Sequence, residues 1–300
     1  VFAQGNDAVC QVNAIEDMLF DVRDGLELGR KINATTLMID VSSNGGGFVA
    51  LGQSLIVNMF SKAFDDPRLA SLLKDVRVGA FLQELYAFAD ANPPFDDAVY
   101  APLSNVATPA GNATMGSTFP DWVTAGRMVT AGGVTSRHSL LFRLQDSAVL
   151  QQALRPQCDL LSTSIVIVTD GLCGSTCAQF MESVRANDLA ATVAMYGGLG
   201  STPQQASFVA GGFIISNVDS IAQSRALAES KGHTFSPAAP LPVPFPQSSE
   251  MGLNYAEAFS VADRTRTVQF SASPPDMYIA VNPATFEERS AMYDTIVDNL

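Results

Sequence analysis

Ser175 is the residue best placed to do chemistry. It lies in Ser164-Ile165-Val166-Ile167-Val168-Thr169-Asp170-Gly171-Leu172-Cys173-Gly174-Ser175-Thr176-Cys177-Ala178-Gln179-Phe180-Met181-Glu182, an apolar β-rich run, a small-residue turn and then an amphipathic helix. That order sets one hydroxyl at a strand-to-helix junction. The unpaired N–H groups of a helix start can stabilise a developing negative charge there, so the hydroxyl is a candidate nucleophile. A second turn, Ser42-Ser43-Asn44-Gly45-Gly46-Gly47, follows the compact run Thr35 to Val41. Its glycines let a backbone amide point at a substrate with no side chain between them. Spacing alone leaves a plainer reading open, in which Gly45–Gly47 is only a tight turn and Ser175 only caps its helix. Phosphate binding fits worse, because no Lys-Ser/Thr pair follows the glycines.

The elements that must position these turns alternate between strand and helix. Helical periodicity covers residues 13 to 31, and Thr35 to Val41 suits a buried parallel strand. Helices are expected from about Ala50 to Phe64 and from Arg68 to Ala89. Residues 91–135, rich in Pro, Ala, Gly, Asn and Thr, read as an irregular insertion or flap anchored by Trp122. Strand, turn, helix and strand return over 164 to 198. A strand is expected from Phe213, a helix to about Ser230, more strand over Val268 to Val281 and a closing helix from Ala284. This alternation predicts an α/β fold with a mainly parallel sheet flanked by helices, whose sites gather beyond the carboxyl ends of the strands.

Composition narrows the function. The chain has 300 residues, 47% hydrophobic and only 16% charged, enough for a real core. A net charge of −13 with no run of Lys or Arg makes nucleic acid and anionic membrane surfaces poor partners. No apolar stretch approaches the roughly 20 residues of a membrane span. Two histidines and four cysteines, Cys10, Cys158, Cys173 and Cys177, give no metal-ligand spacing, so neither metal nor cofactor is expected. Cys173 and Cys177 flank Ser175 and are read as buried small side chains rather than a disulfide. The start at Val1 reads as part of a longer chain. The acidity, with sequons at Asn33 and Asn112, points to a secreted protein.

The two turns together resemble those of the tail-specific, or C-terminal processing, serine peptidases. Leu37-Met38-Ile39-Asp40-Val41-Ser42-Ser43-Asn44-Gly45-Gly46-Gly47 resembles that family's strand, Asp and Asn-(Pro/Gly)-Gly-Gly turn. Asp170-Gly171-Leu172-Cys173-Gly174-Ser175-Thr176-Cys177 is similar to the nucleophile segment of the branch named for the chlamydial protease-like activity factor. The resemblance runs from about Ala34 to Ala210 and more faintly to Asn282. It implies a tail-specific-protease-like catalytic domain over 1–300, a ClpP/crotonase-like α/β spiral and hydrolysis of a protein or peptide substrate. Ser175 matches the nucleophile, and the amides of Gly46 and Thr176 match the oxyanion hole. Gln204 and Gln205, after the Tyr196-Gly197-Gly198 strand exit, match the peptide groove.

The chain departs from that family at the base. No lysine stands between Tyr196 and Gln204, where most members carry one, and Lys231 lies in another context. The branch implies a histidine well before the glycine turn, which places the base upstream of Val1 and predicts little activity for these 300 residues alone. His138 comes after the turn and His233 later still; each reads first as a loop or surface residue. Where the branch carries a glutamate, Ser273 stands, and Asp276 is the substitute candidate, with a turn role as its plainer reading. A peptide-binding scaffold that has lost its base is the alternative function.

Overall fold

The computed structural model describes residues 8–92, 95, 106–107, 125–131, 133–144, 164–189, 191–197, 205–207, 214–215, 218–237, 239, 253–254, 256–261, 264–265, 267–268, 274–282 and 287–300. The chain divides into two compact units, one of Val1–Ser71, Asp146–Gly212 and Gln269–Leu300, the other of Leu72–Gln145 and Phe213–Val268. In chain order the helices are α1 (Ala8–Lys31), α2 (Val49–Met59), α3 (Ser61–Asp65), α4 (Ala80–Ala91), α5 (Ser175–Ala186), α6 (Val218–Ser230) and α7 (Arg289–Asp298). The strands are β1 (Thr36–Asp40), β2 (Leu73–Val76), β3 (Val106–Ala107), β4 (Arg127–Ala131), β5 (Val134–His138), β6 (Arg143–Leu144), β7 (Ser164–Thr169), β8 (Ala191–Tyr196), β9 (Ile214–Ile215), β10 (Leu253–Asn254), β11 (Ala256–Phe259) and β12 (Met277–Ile279).

The first unit carries the expected parallel sheet, in the order β1-β7-β8-β12, with every pairing parallel. Its central strands are continuous apolar runs because both faces are covered. Val166, Ile167, Val168, Val193 and Ala194 are wholly buried. Helix α5 lays Phe180, Met181 and Val184 into the core with Ile165, Ile167 and Val193. Each such side chain stabilises the unit by about 1.5–3 kcal/mol. Register matters most for the site. Asp40 pairs with Val168 and Thr169 with Met195, so β1 and β7 end level and both special turns leave from one edge. Strand β1, expected to be buried, is an edge strand and only half-buried.

The second unit is built from antiparallel pairs, β2 with β11, β3 with β6, β4 with β5 and β9 with β10. It corrects the helix expected over Arg68 to Ala89. Leu73-Lys74-Asp75-Val76 is a strand laddered to Ala256–Phe259, so a pairing distant in sequence overrides the local helical spacing. Helix α4 begins only after Gly79. Within 91–135 the described residues include β3, β4 and the start of β5, so part of that stretch is regular. Trp122 lies outside the described residues, as do Asn112 and Ser273. Among the described residues, no helix is long and apolar enough to cross a membrane.

Candidate active site

The site begins with backbone geometry. Thr169 ends β7, and five residues later Gly174 is the extended residue before α5. Ser175 is therefore the first residue of the helix and not its cap, and no side chain caps this helix start. Its φ is +51°, the left-handed region. A side chain pays roughly 1–2 kcal/mol to stand there. Strain at a strand-to-helix turn that lifts a hydroxyl is the geometry of an exposed nucleophile. The capping alternative thus falls away. Ser175 is half-buried and its hydroxyl makes no hydrogen bond among the described residues.

Three contacts lock the two turns together. The Gly174 N–H donates to the Asn44 carbonyl at 3.0 Å. The Thr176 hydroxyl donates to the Gly47 carbonyl at 2.6 Å. Asp170 accepts from the Ser43 N–H at 3.0 Å, from the Ser43 hydroxyl at 2.7 Å and from the Leu172 N–H at 2.9 Å. Burial would raise the Asp170 pKa, but these donors outweigh it and hold the carboxyl below its ordinary value. Asp170→Ala removes all three bonds and is expected to cost about 1–3 kcal/mol in urea denaturation at pH 7. Because the folded pKa is depressed, this stabilisation is complete above the ordinary value of 3.8 and is lost as pH falls through the folded value. The gap between parent and variant should therefore close below pH 3.8 and stay constant above about pH 5.

Asp40 anchors the base of the glycine turn. It accepts from the Ser42 N–H at 2.9 Å, from the Tyr293 hydroxyl at 2.6 Å and from Arg289 at 3.3 Å. Burial pushes its pKa up, and the Ser42 and Tyr293 hydrogen bonds more than reverse that. Tyr293 and Arg289 stand on α7, and sequence reasoning missed both. Their separations of 253 and 249 residues from Asp40 left no local signal.

The two positions expected to form an oxyanion hole are adjacent. A Cβ placed on Gly46 would lie 2.4 Å from the Ser175 Cβ and 2.9 Å from the Thr176 nitrogen, so only a glycine lets this backbone come so close. The Thr176 N–H, in the first turn of α5, makes no hydrogen bond among the described residues. The Gly46 N–H instead donates to the Asn44 side chain at 2.9 Å. One donor is open and the other is committed to its own turn.

Cys173 and Cys177 are joined in a disulfide, correcting the expectation of two separate thiols. The reversal of the chain through the left-handed Ser175 brings their Cα atoms to 5.3 Å, inside the range a disulfide spans. The bridge closes a short loop around Ser175. Chain entropy for so short a loop gives about 2 kcal/mol. Cys173→Ala/Cys177→Ala is expected to lower the thermal midpoint by roughly 4–8 °C in calorimetry.

Asp276, in the same unit as Ser175, is not gathered at it. Asp276 precedes β12; its carboxylate accepts from the Val193 N–H at 2.8 Å and its own N–H donates to the Val193 carbonyl at 2.8 Å. Val193 pairs with Ile167, two residues before the end of β7, so Asp276 is roughly 7 Å below the edge from which the two turns leave. His138 belongs to the second unit, is buried rather than on the surface, and shares hydrogen bonds of 3.2 Å with Asp75 and with Ser136. Asp75, His138 and Glu257 have ligand atoms within 4.8 Å of one another, although none was expected to form a metal-like group. Arg127 already pairs with Asp75 at 2.9 Å, so this is a satisfied polar network. His233, also in that unit, packs between Phe88 and Phe235. The Gln205 carbonyl lies 3.2 Å from where a Cβ on Gly171 would stand, which sets Gln205 beside the nucleophile turn. Gln204 lies outside the described residues.

No family model matches the chain, and no curated protein or solved structure does either.

Proposed function

We propose that this chain carries the nucleophile and oxyanion hole of a secreted serine-type endopeptidase on a ClpP/crotonase-like fold. The observation that carries the reading is the left-handed Ser175, held against the Gly46 backbone beside an open Thr176 amide. The general base is a histidine outside these 300 residues. It takes the Ser175 proton as Oγ adds to the scissile carbonyl carbon, and the carbonyl electron pair moves to the oxygen held by Thr176 N–H. Gly46 N–H joins once it turns from Asn44 to the oxyanion. Collapse breaks the C–N bond, the base protonates the leaving amine, and water then hydrolyses the acyl ester. The Cys173–Cys177 disulfide supports a secreted location, since such bonds persist in oxidising compartments.

The absence of any hydrogen bond to the Ser175 hydroxyl among the described residues favours one second reading, a peptide-binding scaffold with an inert serine. A fluorophosphonate probe on the full-length protein separates the two. Labelling of the parent and not of Ser175→Ala is the expected result. An unlabelled parent that still binds peptide would establish the scaffold.

A further inference from the structure

Beside the oxyanion positions the first unit contains an apolar cavity of about 160 Å³. Its walls are Met18 of α1, Ile39 and Val41 at the end of β1, Leu51 and Leu55 of α2, and Phe180 of α5. Asn44, Gly46, Gly47 and Thr176 also line it, so the turn backbone and the helix start that flank Ser175 form one side. Among the described residues, no charged side chain lines it. We propose that this cavity is the specificity pocket for the substrate residue whose carbonyl Ser175 attacks, and that it takes a large apolar side chain such as Phe, Leu or Met.

The argument is geometric and energetic. A carbonyl oxygen held by the Thr176 amide leaves its own Cα two bonds away. The side chain on that Cα is then beside the wall that Gly46, Gly47 and Thr176 contribute. An apolar cavity of this size has room for a benzene-sized group. Gly52 makes the space possible from α2. A Cβ there would meet the Thr176 Cγ2 at 2.9 Å, so the helices approach closely through glycine while Leu51 and Leu55 stand as walls. Burying a Phe or Leu side chain favours reaction by roughly 10- to 150-fold over an exposed one. A carboxylate or ammonium finds no charged partner among the described lining residues and is disfavoured by its desolvation cost. The chemistry of the lining therefore selects apolar residues on the acyl side of the cut.

The inference rests on the serine-peptidase reading, and its test keeps the two apart. The full-length protein is treated with α-aminoalkyl diphenyl phosphonates bearing benzyl, isobutyl, methyl or carboxymethyl side chains. In each, the Ser175 Oγ–P bond forms as phenoxide leaves. The expected result is labelling of Ser175 by the benzyl and isobutyl probes at least tenfold faster than by the methyl probe, and at least a hundredfold faster than by the carboxymethyl probe. Leu55→Phe, which fills the cavity, should lower the benzyl-to-methyl ratio at least tenfold, and Leu51→Phe does the same from the next turn of α2. Equal rates for all four probes, in a protein that a simple fluorophosphonate labels at Ser175, overturn the pocket and leave the nucleophile standing. No labelling by any probe overturns the nucleophile and the pocket with it.

Discussion

Ser175→Ala is expected to remove about a million-fold of turnover on an unstructured substrate such as casein, because loss of a triad nucleophile has that scale. The fold should not notice. Alanine has the same backbone restriction as serine, so it carries the same left-handed cost at φ +51°, and the Ser175 hydroxyl makes no hydrogen bond to lose among the described residues. Ser175→Gly sharpens the claim. Glycine relieves the strain, offset in part by its larger unfolded-state entropy, so this variant should be more stable by about 0.5–1 kcal/mol while equally inactive. Casein cleavage by purified Ser175→Ala at the parental rate would sink the assignment. A Ser175→Gly protein no more stable than the parent would show that the strain is absent.

The second large effect belongs to Gly46. An added methyl group would lie 2.4 Å from the Ser175 Cβ, 2.8 Å from the Gly174 carbonyl oxygen and 2.9 Å from the Thr176 nitrogen. Two of these are backbone atoms held in place by the Gly174–Asn44 bond, and φ at Gly46 is +110°, so neither space nor conformation can yield. Gly46→Ala should cost about 2–3 kcal/mol in stability. It should also cost a further hundred- to thousand-fold in kcat, the effect of spoiling one oxyanion donor. Gly45 has nothing within 4 Å of an added Cβ and ordinary φ, so Gly45→Ala should stay within about 0.5 kcal/mol of the parent. Equal stability of the two variants in chemical denaturation would refute the proposed close approach.

Much of this arrangement was legible in the residues. An apolar run followed by Asp and a glycine-rich turn requires a strand end, and two such ends in a parallel sheet share one edge. Asp40 and Asp170, which end those runs, accept hydrogen bonds from turn amides. The helical spacing over 68–89 misled, because a ladder to Ala256–Phe259 decides Leu73–Val76 and that partner lies far along the chain. The Cys173–Cys177 spacing was visible, but whether it closes depends on the backbone reversal at Ser175.

The sequence by itself therefore determined which atoms are the candidates for reaction. It placed Ser175, Thr176 and Gly46 on short turns whose chemistry is local, and local turn chemistry follows from residue type. Only the tertiary structure decided how those atoms are presented. The left-handed Ser175, the committed Gly46 amide and the open Thr176 amide depend on the two turns meeting. That meeting is held by contacts spanning 127 residues at Ser43–Asp170, and by the brace from Tyr293 to Asp40 across 253. Contacts at such separations arise when a packed core fixes strand register, and no single segment encodes them.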